Sequence, residues 1–151
     1  TASLFETVGF ASADSVNAPQ EFINAAGDFA RFFGIAFQIK DDILDYTGTN
    51  ALGKPHGVDL KEQKITLPLL GALKGNPREK EIRDMVRNTH DHPEYCSEIK
   101  AFVNANGGVE YAAHVLDEYV GKSIDALSIL PDSEARFHLV EIAHFNSYRQ
   151  I

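Results

Sequence analysis

The chain has 151 residues, 44% of them hydrophobic and 24% charged, with a formal net charge of −8; this is the size and mix of a water-facing globular protein with a core of its own. The negative balance and the lack of any basic run exclude a surface that tracks a nucleic-acid backbone. The lone Cys96 excludes an internal disulfide and fits a reducing cytoplasm, no apolar run reaches the roughly 20 residues of a membrane span, and no signal peptide is visible.

Residues 1–16 read as a helix carrying Leu4, Phe5, Val8 and Phe10. The chain opens at Thr1 without a methionine and already inside an apolar pattern, as expected of a piece cut from something longer. Asn17 is placed to N-cap the next helix, with Pro19 in its first turn, where a missing N–H costs little. That helix runs to about Tyr46, with Phe22, Ala26, Phe29, Phe33 and Phe37 at helical spacing. It is apolar on most sides, which predicts a central place in a bundle. Gly48 ends it.

Residues 47–62 read as a polar loop containing Gly48, Gly53, Pro55 and Gly57. Pro68 falls in the first turn of a short apolar helix from Leu67 to Leu73, and Gly75-Asn76-Pro77 breaks the chain again. Helices are predicted over 78–89, 94–105 and 108–129. Pro131 ends the last, and Asp132 or Ser133 caps a final helix to Tyr148. No segment alternates as a strand and no linker separates two domains. The expected fold class is therefore all-α: one helical-bundle domain over residues 1–151 with a functional loop.

The stretch Phe37-Gln38-Ile39-Lys40-Asp41-Asp42-Ile43-Leu44-Asp45 carries the chemistry. At about 100° per residue, Asp41 lies about 60° to one side of Gln38, Asp42 about 40° to the other and Asp45 about 20° off. All four share one stripe, which runs back through Gly34, Arg31 and Gly27. Like charges one turn apart repel, and acids near a helix C-terminus oppose its dipole. A hard divalent cation among the oxygens resolves both conflicts, and Mg²⁺ typically takes one or two carboxylates plus substrate phosphates. The plain alternative is a solvated acidic face. The spacing is not that of a calcium-binding loop.

Gly53-Lys54 and Gly57-x-Asp59-Leu60-x-Glu62-x-Lys64 follow directly. Glycines admit close backbone approach, and Lys54 and Lys64 are compact cations able to meet a diphosphate. Taken alone, the loop reads more readily as an ordinary solvated surface, and it is too short and irregular for a Walker phosphate loop.

Together, FQIKDDILD, GKPHGVDL and KITLP resemble the second aspartate-rich region of the trans-polyprenyl (isoprenyl) diphosphate synthases. The opening Thr1-Ala2-Ser3-Leu4-Phe5 is similar to the family's K-T-A-x-L motif without its lysine. Gly107-Gly108, the long helix after it, Leu130-Pro131 and Tyr148-Arg149 are similar to its C-terminal helices. The resemblance implies the C-terminal half of an isoprenoid-synthase bundle, with the metal motif at residues 41–45. It implies a Mg²⁺-dependent prenyltransferase that joins isopentenyl diphosphate to an allylic diphosphate head to tail, usually as a homodimer. Carried over residue by residue, Asp41, Asp42 and Asp45 are metal-binding. Thr1, Gln38, Lys54 and Lys64 contact the diphosphate or the developing cation, and Asp59 orders the loop. Gly27 and Gly34 leave room beside the substrate or let helices pack closely.

The first aspartate-rich motif and the basic residues for isopentenyl diphosphate are missing, so the chain alone is expected to be inactive. The loop reads most like the long-chain, quinone-precursor subgroup. The competing readings are a non-catalytic partner subunit of a heteromeric prenyl synthase and a class I terpene cyclase; GK…DL…KITLP argues against the cyclase.

Other candidates have plainer readings. Glu141-Ile142-Ala143-His144 matches the E-x-x-H of di-iron bundles, but only one copy exists, so a surface pair is expected. His90-Asp91-His92-Pro93 reads as a solvated turn, Cys96 as structural, and Phe102, Val103, Val109, Val115 and Leu116 as core.

Overall fold

The computed structural model describes residues 1–47 and 57–150. Among these the regular structure is helical throughout: α1 (Ala2–Asp14), α2 (Gln20–Thr47), α3 (Val58–Lys61), α4 (Leu67–Leu73), α5 (Glu79–Arg87), α6 (Tyr95–Ala105), α7 (Gly108–Ala126) with a 3₁₀ turn at Leu127–Ile129, and α8 (Glu134–Tyr148). Gly48, Gly53, Lys54 and Pro55 lie outside the described residues.

The chain forms two compact units. One comprises Thr1–Lys40 and Val115–Arg149, the other Asp41–His114 with the extreme C-terminus. The first is built on the early turns of α2. Ala25, Phe29, Ala30, Phe33, Ala36 and Ile39 are buried there, a spacing of three, four and one that keeps one broad helical face inward. Phe33 lies 5.9 Å from Phe29 and 5.4 Å from Phe5 of α1, the latter edge to face, the arrangement aromatic quadrupoles favour. Gly27 and Gly34 bring α1 close. A Cβ on Gly27 would stand 2.5 Å from the Phe10 ring, and one on Gly34 2.8 Å from Ala2 Cα. Close helix packing, one of the two roles expected for these glycines, is thus present.

The junction after α1 differs from expectation. Asn17 has φ 52°. Its N–H donates to Asp14 O at 2.9 Å, and the Ala18 N–H donates to Ala13 O at 3.2 Å. These bonds close the C-terminus of α1 in the Schellman manner, so Asn17 ends one helix rather than capping the next. Asparagine suits both positions in sequence; its tolerance of the left-handed region decides between them. At the other end of the unit, Ser133 caps α8, accepting from the Arg136 N–H at 3.2 Å. Lys40 Nζ donates to Ser147 O at 2.6 Å, and Arg149 donates to Phe37 O at 3.2 Å while lying over the Phe37 ring. The last turn of α8 is thereby fixed to α2.

The second unit has one core: Tyr46, Leu60, Leu69, Leu73, Ile82, Val86, Ile99, Phe102 and Val103 pack together. Pro68 occupies the first turn of α4. Cys96 packs against the edge of this core as a free thiol. The segment expected to be loop up to residue 62 contains α3, a single turn begun by Gly57 at φ 76°. Left-handed backbone costs glycine, which has no Cβ, least. Leu60 of that turn is fully buried, and the Thr89 hydroxyl donates to its carbonyl at 2.8 Å.

A candidate diphosphate and metal site

In the second unit, α2 carries Asp41, Asp42 and Asp45 on its closing turns, all half-buried. Asp45 is engaged twice. Its Oδ1 accepts from the Gly57 N–H at 2.8 Å and the Val58 N–H at 3.1 Å, so it satisfies two of the amides that the start of α3 leaves open. Its backbone carbonyl accepts from Lys100 Nζ of α6 at 2.8 Å. Its Oδ2 is buried and has no hydrogen-bond partner among the described residues, an arrangement that costs free energy unless a cation or polar group meets it.

Next to Asp45, the buried Tyr46 hydroxyl also lacks a partner among the described residues, as does Thr66 Oγ1. Burial holds the Tyr46 phenol well above its usual range, and Asp45, Asp59 and Asp42 push the same way. Thr66 lies close enough to favour the phenolate, but neither hydroxyl completes a bond of hydrogen-bonding geometry, so burial prevails. Tyr46 stays neutral beside the acids.

Lys64 lies just beyond α3. Its Nζ is 2.5 Å from Glu62 and 3.5 Å from Asp59, with the side chain 56% exposed. Glu62 raises its pKa, so it is a fixed cation. Its N–H donates to Asp59 O at 2.8 Å, which ties Asp59 into the turn. Lys54 lies outside the described residues.

In the first unit, Thr1 and Gln38 are brought together: Thr1 Oγ1 donates to Gln38 Oε1 at 3.1 Å, although 37 residues separate them. Both are exposed. The Thr1 carbonyl accepts from Leu4 and Phe5 and so begins α1.

Among the described residues no three His, Cys, Asp or Glu side chains converge on one cation position. The donor set therefore does not fit an ion held wholly by protein. It is compatible with one held by one or two carboxylates and completed by phosphate and water, as Mg²⁺ favours. Sequence reasoning missed Lys100, which the fold brings in from 55 residues away.

The remaining candidates are ordinary surface. His90 and His92 are exposed, His92 Nδ1 being 3.0 Å from Glu94. Glu141 faces His138 at 3.2 Å, and His144 is exposed.

The polyprenyl synthetase family model matches residues 1–104, and the chain belongs to that family. Over 148 residues it is 36% identical to octaprenyl diphosphate synthase of Haemophilus influenzae, covering 97% of this chain and 45% of that protein. Over 130 residues it is 36% identical to heptaprenyl diphosphate synthase component 2 of Geobacillus stearothermophilus, covering 85% of this chain and 40% of that one. The polyprenyl synthase from Caulobacter crescentus, solved in complex with calcium and isoprenyl diphosphate, matches with a TM-score of 0.87 and 31% identity over 100% of this chain and 47% of its own. The all-helical, isoprenoid-synthase fold expected from the sequence is thus present, and the chain spans less than half the length of these relatives. No described helix is long and apolar enough to cross a membrane.

Proposed function

We propose that this chain is the acid-bearing half of a Mg²⁺-dependent trans-polyprenyl diphosphate synthase, acting in the cytoplasm on isopentenyl diphosphate and an allylic diphosphate. The observation that carries the reading is Asp45. It closes an acidic stripe on α2, caps α3 with one oxygen and leaves the other buried without a partner among the described residues.

In this reading Asp41 and Asp42 hold the cation, with Asp45 supporting it through Oδ2 directly or through water. Bound Mg²⁺ supplies Lewis-acid neutralisation of the departing pyrophosphate. Thr1, Gln38, Lys54 and Lys64 meet the diphosphate. For Lys64 this means exchanging Glu62 for a phosphate oxygen, and exposed ion pairs of that kind are worth little. The allylic C–O bond breaks and pyrophosphate leaves. The alkene of isopentenyl diphosphate forms the new C–C bond, and the resulting cation loses a proton to pyrophosphate. Tyr46, neutral and buried, adds no further charge beside the acids. The likeness to octaprenyl and heptaprenyl synthases supports a long-chain product.

The complete enzyme acts as a homodimer. The name of the Geobacillus relative, a component 2, favours one alternative: this chain's protein works only with a second, different subunit. Labelled isopentenyl diphosphate and farnesyl diphosphate, given to the intact protein, separate the readings. Extractable polyprenyl product that requires Mg²⁺ supports the homodimeric enzyme, and residues 1–151 alone make none. Product only on adding a partner supports the two-component form. Hydrocarbon released from farnesyl diphosphate alone points to a cyclase and overturns both.

A further inference from the structure

We propose that Lys100 is a positioning residue of the acid site, holding Asp45 and the start of α3 in the geometry that receives the metal-bound diphosphate. The inference rests on the functional reading above.

Lys100 Nζ donates to the Asp45 carbonyl at 2.8 Å, one of the carbonyls that the end of α2 leaves open. A cation there also offsets the negative end of the helix dipole, where Asp41, Asp42 and Asp45 already concentrate charge. The same side chain lies along Gly57: a Cβ on that glycine would stand 3.1 Å from Lys100 Cε and 3.2 Å from Nζ. Gly57 is in turn bonded through its N–H to Asp45 Oδ1. One side chain thus bonds the Asp45 backbone and passes beside Gly57, the two residues that the carboxylate–amide cap joins.

Lys100 is half-buried on α6, whose Ile99, Phe102 and Val103 are anchored in the core. The tether therefore ends on a rigid element. The consequence is directional. With Lys100 in place, Asp45 keeps Oδ1 on the α3 amides and Oδ2 available. Without it, the end of α2 and the turn that bears Asp59, with Lys64 just beyond, lose their fixed spacing.

The test compares intact protein with Lys100→Met, which keeps the apolar stem, and Lys100→Arg, which keeps the charge. Inorganic pyrophosphate titrated with and without Mg²⁺ reports the site, and amide hydrogen exchange at Gly57 and Val58 reports the cap. Outer-shell partners of metal ligands typically matter by about 10–100-fold. Lys100→Met is therefore expected to weaken Mg²⁺-dependent pyrophosphate binding about tenfold and to speed exchange at both amides, with Lys100→Arg recovering most of each. If the methionine variant does not fold, Lys100→Gln takes its place.

Affinity within twofold of wild type, whatever happens to thermal stability, overturns the positioning role and leaves the functional reading intact. Wild-type protein that does not bind pyrophosphate with Mg²⁺ overturns the functional reading, and the positioning role with it.

Discussion

Asp45 Oδ1 lies 2.8 Å from the Gly57 amide nitrogen, so the carboxylate that ends the acidic stripe of α2 also begins α3. A single residue therefore links the proposed metal site to the shape of the chain that follows. Its two oxygens divide the labour: Oδ1 is committed to backbone amides and Oδ2 has no partner among the described residues.

That division is separable by mutation. Asp45→Ala removes the cap and is expected to cost about 1–2 kcal/mol in urea unfolding, the range for a lost helix N-cap. Asp45→Asn keeps an oxygen for the Gly57 and Val58 amides and is expected to cost about half as much. Both lose Mg²⁺-dependent pyrophosphate affinity. Equal stability loss in the two variants would show that the cap contributes nothing.

Alkaline unfolding carries two opposed contributions. Burial raises the Tyr46 pKa, so the folded state holds a proton that the unfolded chain releases near pH 10. That stability is fully present below pH 10 and is lost as pH rises beyond it. Lys40 is the reverse: burial, then Arg149, lowers its pKa from 10.5. Its charged form is penalised in the fold at lower pH, and the penalty lifts as pH climbs toward 10.5. Tyr46→Phe should flatten the fall in stability above pH 10, and Lys40→Met should steepen it, in denaturant melts taken from pH 8 to about 11. Tyr46→Phe also removes a buried hydroxyl without a partner, so at pH 7 it should leave stability unchanged or raised by about 1 kcal/mol.

Gly34 sets how near α1 comes to α2. A methyl group there would stand 2.8 Å from Ala2 Cα and 3.1 Å from Phe5 Cβ, and backbone cannot swing aside as a side chain can. Gly34→Ala should lower unfolding free energy by about 1–3 kcal/mol, as overpacking does. A variant as stable as wild type would mean that α1 shifts freely on α2.

Much of this was legible from the residues. The long apolar periodicity of α2, Pro68 at the start of α4, Pro131 after α7 and Ser133 before α8 act through local sterics and caps, which a sequence displays directly. The acidic stripe was legible for the same reason: three and four residues make a helical turn. Asn17 was misjudged because one side chain serves two helix ends. α3 was hidden because a single turn has no period to detect; its start depends on Gly57 at positive φ and on Asp45, twelve positions earlier. Lys100 could not be found at all, since its bond to Asp45 exists only once α6 has packed.

The central claim is that Asp41 and Asp42, supported by Asp45, hold a divalent cation for a diphosphate. Calorimetric titration of pyrophosphate into the intact protein, with Mg²⁺ or with EDTA, tests it most directly, alongside Asp41→Asn. The account predicts binding only with Mg²⁺ and a loss of about 10–100-fold in the variant. Binding that is equally strong in EDTA, or unchanged by Asp41→Asn, would contradict it.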